Sequence, residues 1–344
     1  MERKRIAITM GDPAGIGPEV VVKALTNKEI YEKCIPVVIG DYEALQDAIY
    51  FSELNLTLLE INTPEDAEGN YGVVEFINLN YLKPGSWRYK ENSALCGEAA
   101  FQYVIHSIAY AKEKAVSAVI TAPISKESIN MAGHPYSGHT EIFAEYTDTK
   151  DYAMLLASDN LRVIHVTTHC ALIEACRLIR KVRVLKVIRL ANKACKMLGI
   201  EKPKIGVAGL NPHCSENGLF GTEETSEIIP AIREAQDEGI NVQGPESPDT
   251  VFVKCKAGIY DIVVAMYHDQ GHIPLKLNSF QWNAAEGRFS SVRGINTTIG
   301  LPIIRVSVDH GTAFGKAGEG RANADSLIEA IEVGLTMAKN QYSK

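Results

Sequence analysis

The chain predicts an α/β fold, and two observations carry that expectation. Short runs rich in Val and Ile alternate with helix-period stretches nearly throughout its 344 residues, as expected where helices connect strands. Three of the runs end in a histidine set in a short polar segment: Leu161-Arg-Val-Ile-His-Val-Thr-Thr-His169, Lys204-Ile-Gly-Val-Ala-Gly-Leu-Asn-Pro-His213 and Tyr260-Asp-Ile-Val-Val-Ala-Met-Tyr-His268. In an open α/β sheet the ligand crevice lies beyond the carboxyl ends of the strands. Three imidazoles delivered there can converge on one metal ion and leave a coordination position open, as catalytic sites do.

Taken in order, strands are expected over 5–10, 36–39, 74–77, 118–121, 163–167, 204–208, 262–266 and 303–308. Each is short, apolar and stopped by Gly, Pro, Asn or a polar cluster. Helices are expected over 18–25, 98–114, 141–146, 181–198, 225–238 and 325–340. The first opens on Pro18, suited to a first helical turn. In the last, Leu327, Ala330, Ile331 and Leu335 keep helical spacing. The stretch 278–294, rich in Ser, Asn, Gly and Arg, is expected as an exposed functional loop. No repeat, low-complexity tract or linker marks a domain boundary.

Length suits two domains, and 46% hydrophobic with 22% charged residues is ordinary globular composition. No apolar stretch approaches the roughly 20 residues that cross a bilayer. Met1-Glu-Arg-Lys-Arg leads straight into a strand with no signal-peptide core, so a cytoplasmic protein without membrane contact is expected. A net charge of −7 with no basic run argues against nucleic acid and still permits a local pocket for a small anion. The seven cysteines are scattered, without a Cys-x-x-Cys pair, and read as reduced, mostly buried thiols.

Gly11-Asp-Pro-Ala-Gly-Ile-Gly-Pro-Glu19 lies between a strand and a helix. It lacks the third glycine of a dinucleotide fingerprint, so an anion-binding role and a tight structural turn both remain open. Thr121-Ala-Pro-Ile-Ser-Lys126 ends another strand. Tyr136-Ser-Gly-His139-Thr140-Glu141 then opens a helix, where His139 and Thr140 can meet a phosphate or carboxylate; a simple cap by Ser137 or Thr140 is the plainer reading.

His169, His213 and His268 are 44 and 55 residues apart, so only the fold can bring them together. Cys170 and Cys214, each next to a histidine, are read as packing. Asp249 and Asp269 are candidates for orienting the imidazoles, or loop caps, and no general base is assigned. Lys276 and Arg305 stand in apolar context and supply fixed positive charge, arginine matching carboxylate or phosphate geometry. The glycine-rich run from Asp309 to Asn323 follows a strand and precedes the final helix; such a loop lets backbone approach a flat or charged ligand.

Together these blocks resemble the PdxA family, the 4-hydroxythreonine-4-phosphate dehydrogenases and their relatives. The likeness spans nearly the whole chain: the 11–19 opening, Thr-Ala-Pro-Ile-Ser-Lys, Gly-His-Thr-Glu, Thr-Thr-His, Leu-Asn-Pro-His, Tyr-His-Asp-Gln-Gly and Ser-Val-Asp-His-Gly-Thr-Ala. The resemblance implies two α/β/α domains with a cleft between them, as in isocitrate and isopropylmalate dehydrogenases, and a homodimer. It implies one domain from 1–125 plus 303–344 carrying the NAD loop, and a central domain, 126–302, carrying metal and substrate ligands. It implies that His169, His213 and His268 hold a divalent cation (Zn, Co, Ni, Mn or Mg), the last two approaching from a partner domain or subunit. His139, Thr140, Lys276, Asn296 and Arg305 would contact substrate. His310, Gly311, Thr312, Ala313, Gly318 and Asn323 would contact NAD.

One departure points within the family. Pyridoxine-pathway members continue Tyr-His-Asp-Gln-Gly-Leu-Pro, whereas this chain has His272-Ile-Pro and a longer insert over 280–289. Those features resemble the 4-phospho-D-threonate and 4-phospho-D-erythronate dehydrogenases. The expected reaction is NAD-dependent oxidation at C3 with decarboxylation. The alternatives are 4-phosphohydroxy-L-threonine oxidation in pyridoxal phosphate synthesis and a metal-dependent sugar-phosphate aldolase or hydrolase.

Overall fold

The computed structural model describes residues 3–283, 288–292 and 294–341. The chain forms two compact units, one of residues 1–150 with 301–338 and the other of 151–300 with 339–344. The first unit thus reaches Lys150, not residue 125. Two short helices after residue 125 belong to it, the first of them packed closely on a long helix of the same unit.

The first unit begins with β1 (Lys4–Thr9), α1 (Gly17–Ala24), α2 (Lys28–Lys33), β2 (Cys34–Gly40) and α3 (Tyr42–Phe51). It continues with β3 (Thr57–Glu60), β4 (Val73–Asn78), α4 (Ala94–Lys112), β5 (Val119–Thr121), α5 (Lys126–Met131) and α6 (His139–Tyr146). The second unit opens with β6 (Ala153–Ser158), β7 (Leu161–His165), α7 (Leu172–Leu178), α8 (Lys181–Met197), β8 (Ile205–Ala208) and α9 (Ile229–Asp237). Next come β9 (Val242–Glu246), α10 (Val251–Lys256), β10 (Ile262–Ala265) and α11 (His268–Ser279). It ends on β11 (Phe280–Asn283), β12 (Arg288–Val292) and β13 (Ile295–Ile299). The chain then returns to the first unit as β14 (Arg305–Val308) and α12 (Asp325–Gln341).

Strands of the first unit lie in the order β3-β4-β2-β1-β5-β14, and every pair is parallel. Parallel strands bury both faces and read as continuous apolar runs; Ile6, Ala7 and Ile8 of β1 are fully buried. A Cβ on Gly97 of α4 would sit 1.9 Å from the Ser128 carbonyl oxygen of α5, so only glycine permits that approach. Gly97→Ala is expected to lower unfolding free energy by about 1–3 kcal/mol, read as a lower urea midpoint.

The second unit runs β13-β6-β7-β10-β8-β9. β6 is antiparallel to both neighbours, while β7, β10, β8 and β9 are parallel. Leu161, Val163, Phe252, Tyr260, Val263 and Leu275 belong to one buried cluster beneath α10 and α11.

Every strand and helix expected from sequence is present, with ends displaced by a few residues. The stretch 278–294 is not simply a loop. α11 extends to Ser279, and β11 pairs antiparallel with β12; residues 284–287 and 293, within or beside the insert, lie outside the described residues. Among the described residues no helix is long and apolar enough to cross a membrane.

Candidate active site

In the second unit, β10 lies between β7 and β8, all three parallel. The paired residues end at Ala265 with His165 on one side and Val264 with Val207 on the other. The segments carrying His169, His268 and His213 therefore leave the same edge of the sheet. His268 does not sit in a loop: it is the first residue of α11. Its ring centroid is 5.7 Å from that of His169. Both line a cavity of about 500 Å³ with Thr168, Cys170, Tyr267 and Asp269. Cys170 is exposed and lines the cavity, so it is not a packing residue. Cys214 is partly buried, its thiol 3.3 Å from the Pro245 carbonyl oxygen.

His213 does not line this cavity. After Pro212, residues 213–217 all take positive φ, between 45° and 70°. Among the described residues no group of three His, Cys, Asp or Glu is placed to hold a metal. Of the two histidines expected from a partner domain or subunit, His268 instead meets His169 within one chain, and His213 is not among the residues that line their cavity.

The donor chemistry nevertheless suits a divalent cation. His268 Nδ1 is 2.7 Å from Asp269 Oδ1, and His213 Nδ1 is 3.0 Å from Glu216 Oε1. A carboxylate at Nδ1 fixes the tautomer with Nε2 as the lone-pair nitrogen, as metal-ligating imidazoles require. Asp249 is exposed and bonds none of the three histidines. Glu216, which sequence reasoning missed, stands where Asp249 was expected.

Two further histidines adjoin the cavity. His272 stacks on His268 with centroids 3.6 Å apart, and its Nδ1 is 2.9 Å from the His268 carbonyl oxygen. Buried His165 lies 4.8 Å from His272. Burial, then the neighbouring imidazoles, pushes His272 down to about 4 and His165 down to about 3, so both are neutral at pH 7. The spacing of 165 to 169 and of 268 to 272 was the sequence signal for them.

In the first unit α6 begins at His139 behind Gly138, so no side chain caps it. His139 is partly covered, yet its Nε2 is enclosed without a hydrogen-bond partner among the described residues. Burial, with the nearby Arg305 charge adding to it, holds the imidazole well below its usual range. Arg305 on β14 is 2% exposed, its Nη2 3.0 Å from Thr121 Oγ1 and its guanidinium 5.7 Å from the Phe143 ring centroid of α6. Burial pushes Arg305 down to about 9, opposed by the Glu141 carboxylate, so it stays cationic at neutral pH. His139, buried Thr140 and Arg305 thus form one cluster suited to an anion. Lys276 and Asn296 belong to the second unit: Lys276 Nζ lies 4.8 Å from the Phe280 ring centroid, and Asn296 of β13 faces Leu156 of β6.

A pH dependence follows from His139. The unfolded chain protonates this imidazole near about pH 6.5, while the folded chain does so only at lower pH. Its contribution to stability is full above that pH and declines as pH falls below it. Between pH 7.5 and 5 the wild-type urea midpoint should fall further than that of His139→Gln; equal falls would contradict this.

The glycine-rich loop of 310–323 is pinned by α1. Lys23 Nζ donates to the carbonyls of Gly320 at 2.7 Å and Ala322 at 2.9 Å, and buried Glu19 accepts from Ala322 N at 2.6 Å. Ile16 N donates to Thr312 O at 3.0 Å, and a Cβ on Gly15 would stand 2.9 Å from Thr312 Cβ. The 11–19 turn therefore has a structural use as the seat of this loop. His310 and Gly311 are exposed or nearly so, Ala313 is left-handed at φ 44°, and Gly318 has φ +75°. Asn323 bonds Asp325 through both its amide atoms, so its side chain serves the start of α12.

The family model described as pyridoxal phosphate biosynthetic protein PdxA matches residues 32–334. The chain belongs to the PdxA family. D-threonate 4-phosphate dehydrogenase of Cupriavidus necator is 42% identical over 334 residues, 97% of each chain. A relative from Oceanobacillus iheyensis, provisionally given the same name, is 46% identical over 335 residues, again 97% of each. The crystal structure of 4-hydroxythreonine-4-phosphate dehydrogenase from Klebsiella pneumoniae aligns with TM-score 0.85 at 41% identity, covering 98% of both chains. Membership in this family makes the protein an oxidoreductase.

Proposed function

We propose that the protein oxidises carbon 3 of a 4-phosphorylated 3-hydroxy acid with NAD, and that the product loses CO2 to give dihydroxyacetone phosphate. The substrate is 4-phospho-D-threonate ahead of 4-phospho-D-erythronate. The observation that carries the reading is full-length identity of 42% to a relative named for that threonate. The His272-Ile-Pro departure agrees with it.

Arg305 and the His139–Thr140 helix start would grip an anionic end of the substrate, and Lys276 and Asn296 its remaining oxygens. Residues 310–323 would hold NAD, which would supply the hydride acceptor. His169, His268 and His213 would hold a divalent cation, which when bound would supply Lewis acidity toward a substrate hydroxyl; imidazole donors favour Zn, Co or Ni over Mg. Asp269 and Glu216 would keep the ligand tautomers fixed.

His213 would come from a second copy of the chain. Leu172 and Ile173 follow His169, Leu219 and Phe220 follow His213, and all four are at least half exposed. Apolar side chains exposed beside both ligand segments suit coverage by a homodimer partner.

Gly320→Ala tests the loop. Gly320 has φ +67°, and a Cβ there would lie 2.5 Å from the Phe51 carbonyl oxygen. Strain of about 1–3 kcal/mol should raise the KM for NAD roughly tenfold or more in steady-state assays.

The function itself is tested by NADH formation from 4-phospho-D-threonate, 4-phospho-D-erythronate and 4-phosphohydroxy-L-threonine with divalent metal supplied. Turnover of a phospho-sugar acid supports the reading, and turnover of none refutes it. Turnover of the amino acid alone would favour the second reading, the activity named for the Klebsiella structure.

A further inference from the structure

Two hydrogen bonds leave the side chain of Gln270, and they reach different arms of the sheet edge. Its Oε1 accepts from the backbone N–H of Met266, at the end of β10, at 2.6 Å. Its Nε2 donates to the carbonyl oxygen of Gly209, just past β8, at 2.8 Å. Gln270 is 8% exposed, and Met266 is fully buried. The strand pairing between β10 and β8 stops at Val264 with Val207, so the amide bridges the two chains beyond the last rung. On the other side the Met266 carbonyl accepts from Thr167 N at 3.2 Å and Thr167 Oγ1 at 2.9 Å. The run Thr167–Met266–Gln270–Gly209 therefore ties together the segments that present His169, His268 and His213.

The Gly209 arm is braced in turn. Buried Glu224, in a π-helical turn ahead of α9, accepts from Leu210 N at 2.8 Å and Asn211 N at 2.7 Å. A residue serving only the start of α11 would need the bond back to Met266; it would not need the second bond to another strand.

We propose that Gln270 is a positioning residue: by bracing the His268 arm against the Gly209 arm of the same chain, it sets where each chain presents His268 to its own metal and His213 to the second copy's. This rests on the metal site proposed above. The requirement is for an amide in particular, one acceptor and one donor on one plane. A carboxylate there would turn an oxygen against the Gly209 carbonyl, and a thioether would leave two buried backbone groups without partners.

The test is titration of the full-length metal-free protein with Co2+, followed by its visible absorption, for wild type, Gln270→Glu, Gln270→Met and His268→Ala. Urea midpoints are measured in parallel. Both Gln270 variants are expected to bind Co2+ about 10- to 100-fold more weakly, with an altered spectrum at saturation while folded. Wild-type affinity and spectrum in both variants would overturn the proposal. So would weaker binding with an unchanged saturated spectrum and a fallen urea midpoint, which marks a merely structural role. Failure of the metal site is a separate result: wild type then takes up no Co2+, or His268→Ala binds it as wild type does.

Discussion

His268→Ala is expected to bind divalent metal weakly enough to lose it on dialysis and to lower kcat/KM by about 10³-fold or more, several kcal/mol of lost charge stabilisation. Three observations place this residue first. It extends from β10, the middle strand of the three that carry the histidines. Its ring shares a cavity with His169, and Asp269 sits at its Nδ1. Asp269→Asn should be milder, about 10- to 100-fold in metal affinity, because the ligand remains while its orienting partner weakens. Metal content after dialysis and NADH formation read both. A His268→Ala protein with full metal content and activity would contradict the assignment.

The second large effect is expected at Arg305. A guanidinium kept charged in a buried place, with His139 neutral and the Glu141 carboxylate nearby, is suited to grip an anionic group of the substrate. Replacing Arg305 by Met should remove about 2–5 kcal/mol of anion recognition, on the order of 10²- to 10³-fold in kcat/KM. The loss should fall mainly on KM for the phosphorylated acid, with weaker inhibition by inorganic phosphate. Arg305→Lys should recover little, since an ammonium cannot reproduce the planar fork. An unchanged KM with a reduced kcat would show that Arg305 acts elsewhere than in binding.

What the sequence could show followed its physics. β1, β7, β8 and β10 are buried on both faces, so their residues form apolar runs that need no context to read. β3 and β9 are largely exposed, and β9 contains Gly244 and Pro245, which argue against a strand wherever tertiary pairing is unknown. α11 begins His-Asp-Gln-Gly-His-Ile-Pro, with glycine and proline that disfavour a helix; Gln270, reaching back to Met266, anchors its first turn. His169 and His268 were legible because strand ends are where such a sheet presents ligands. The departure of His213 was not legible, because five successive left-handed residues without glycine have no pattern to announce them. Glu224 and Gln270 escaped notice because each reaches a backbone atom of a segment that only the fold brings near, and Glu216 because it meets His213 only through that left-handed turn.

X-ray absorption at the metal edge of the zinc- or cobalt-loaded protein is the most direct test, because imidazoles bound to the metal can be counted from its outer-shell scattering. The account predicts three per metal ion, falling to two in each of His169→Ala, His213→Ala and His268→Ala. Two or fewer in the wild-type protein, or three surviving any of those substitutions, would contradict it.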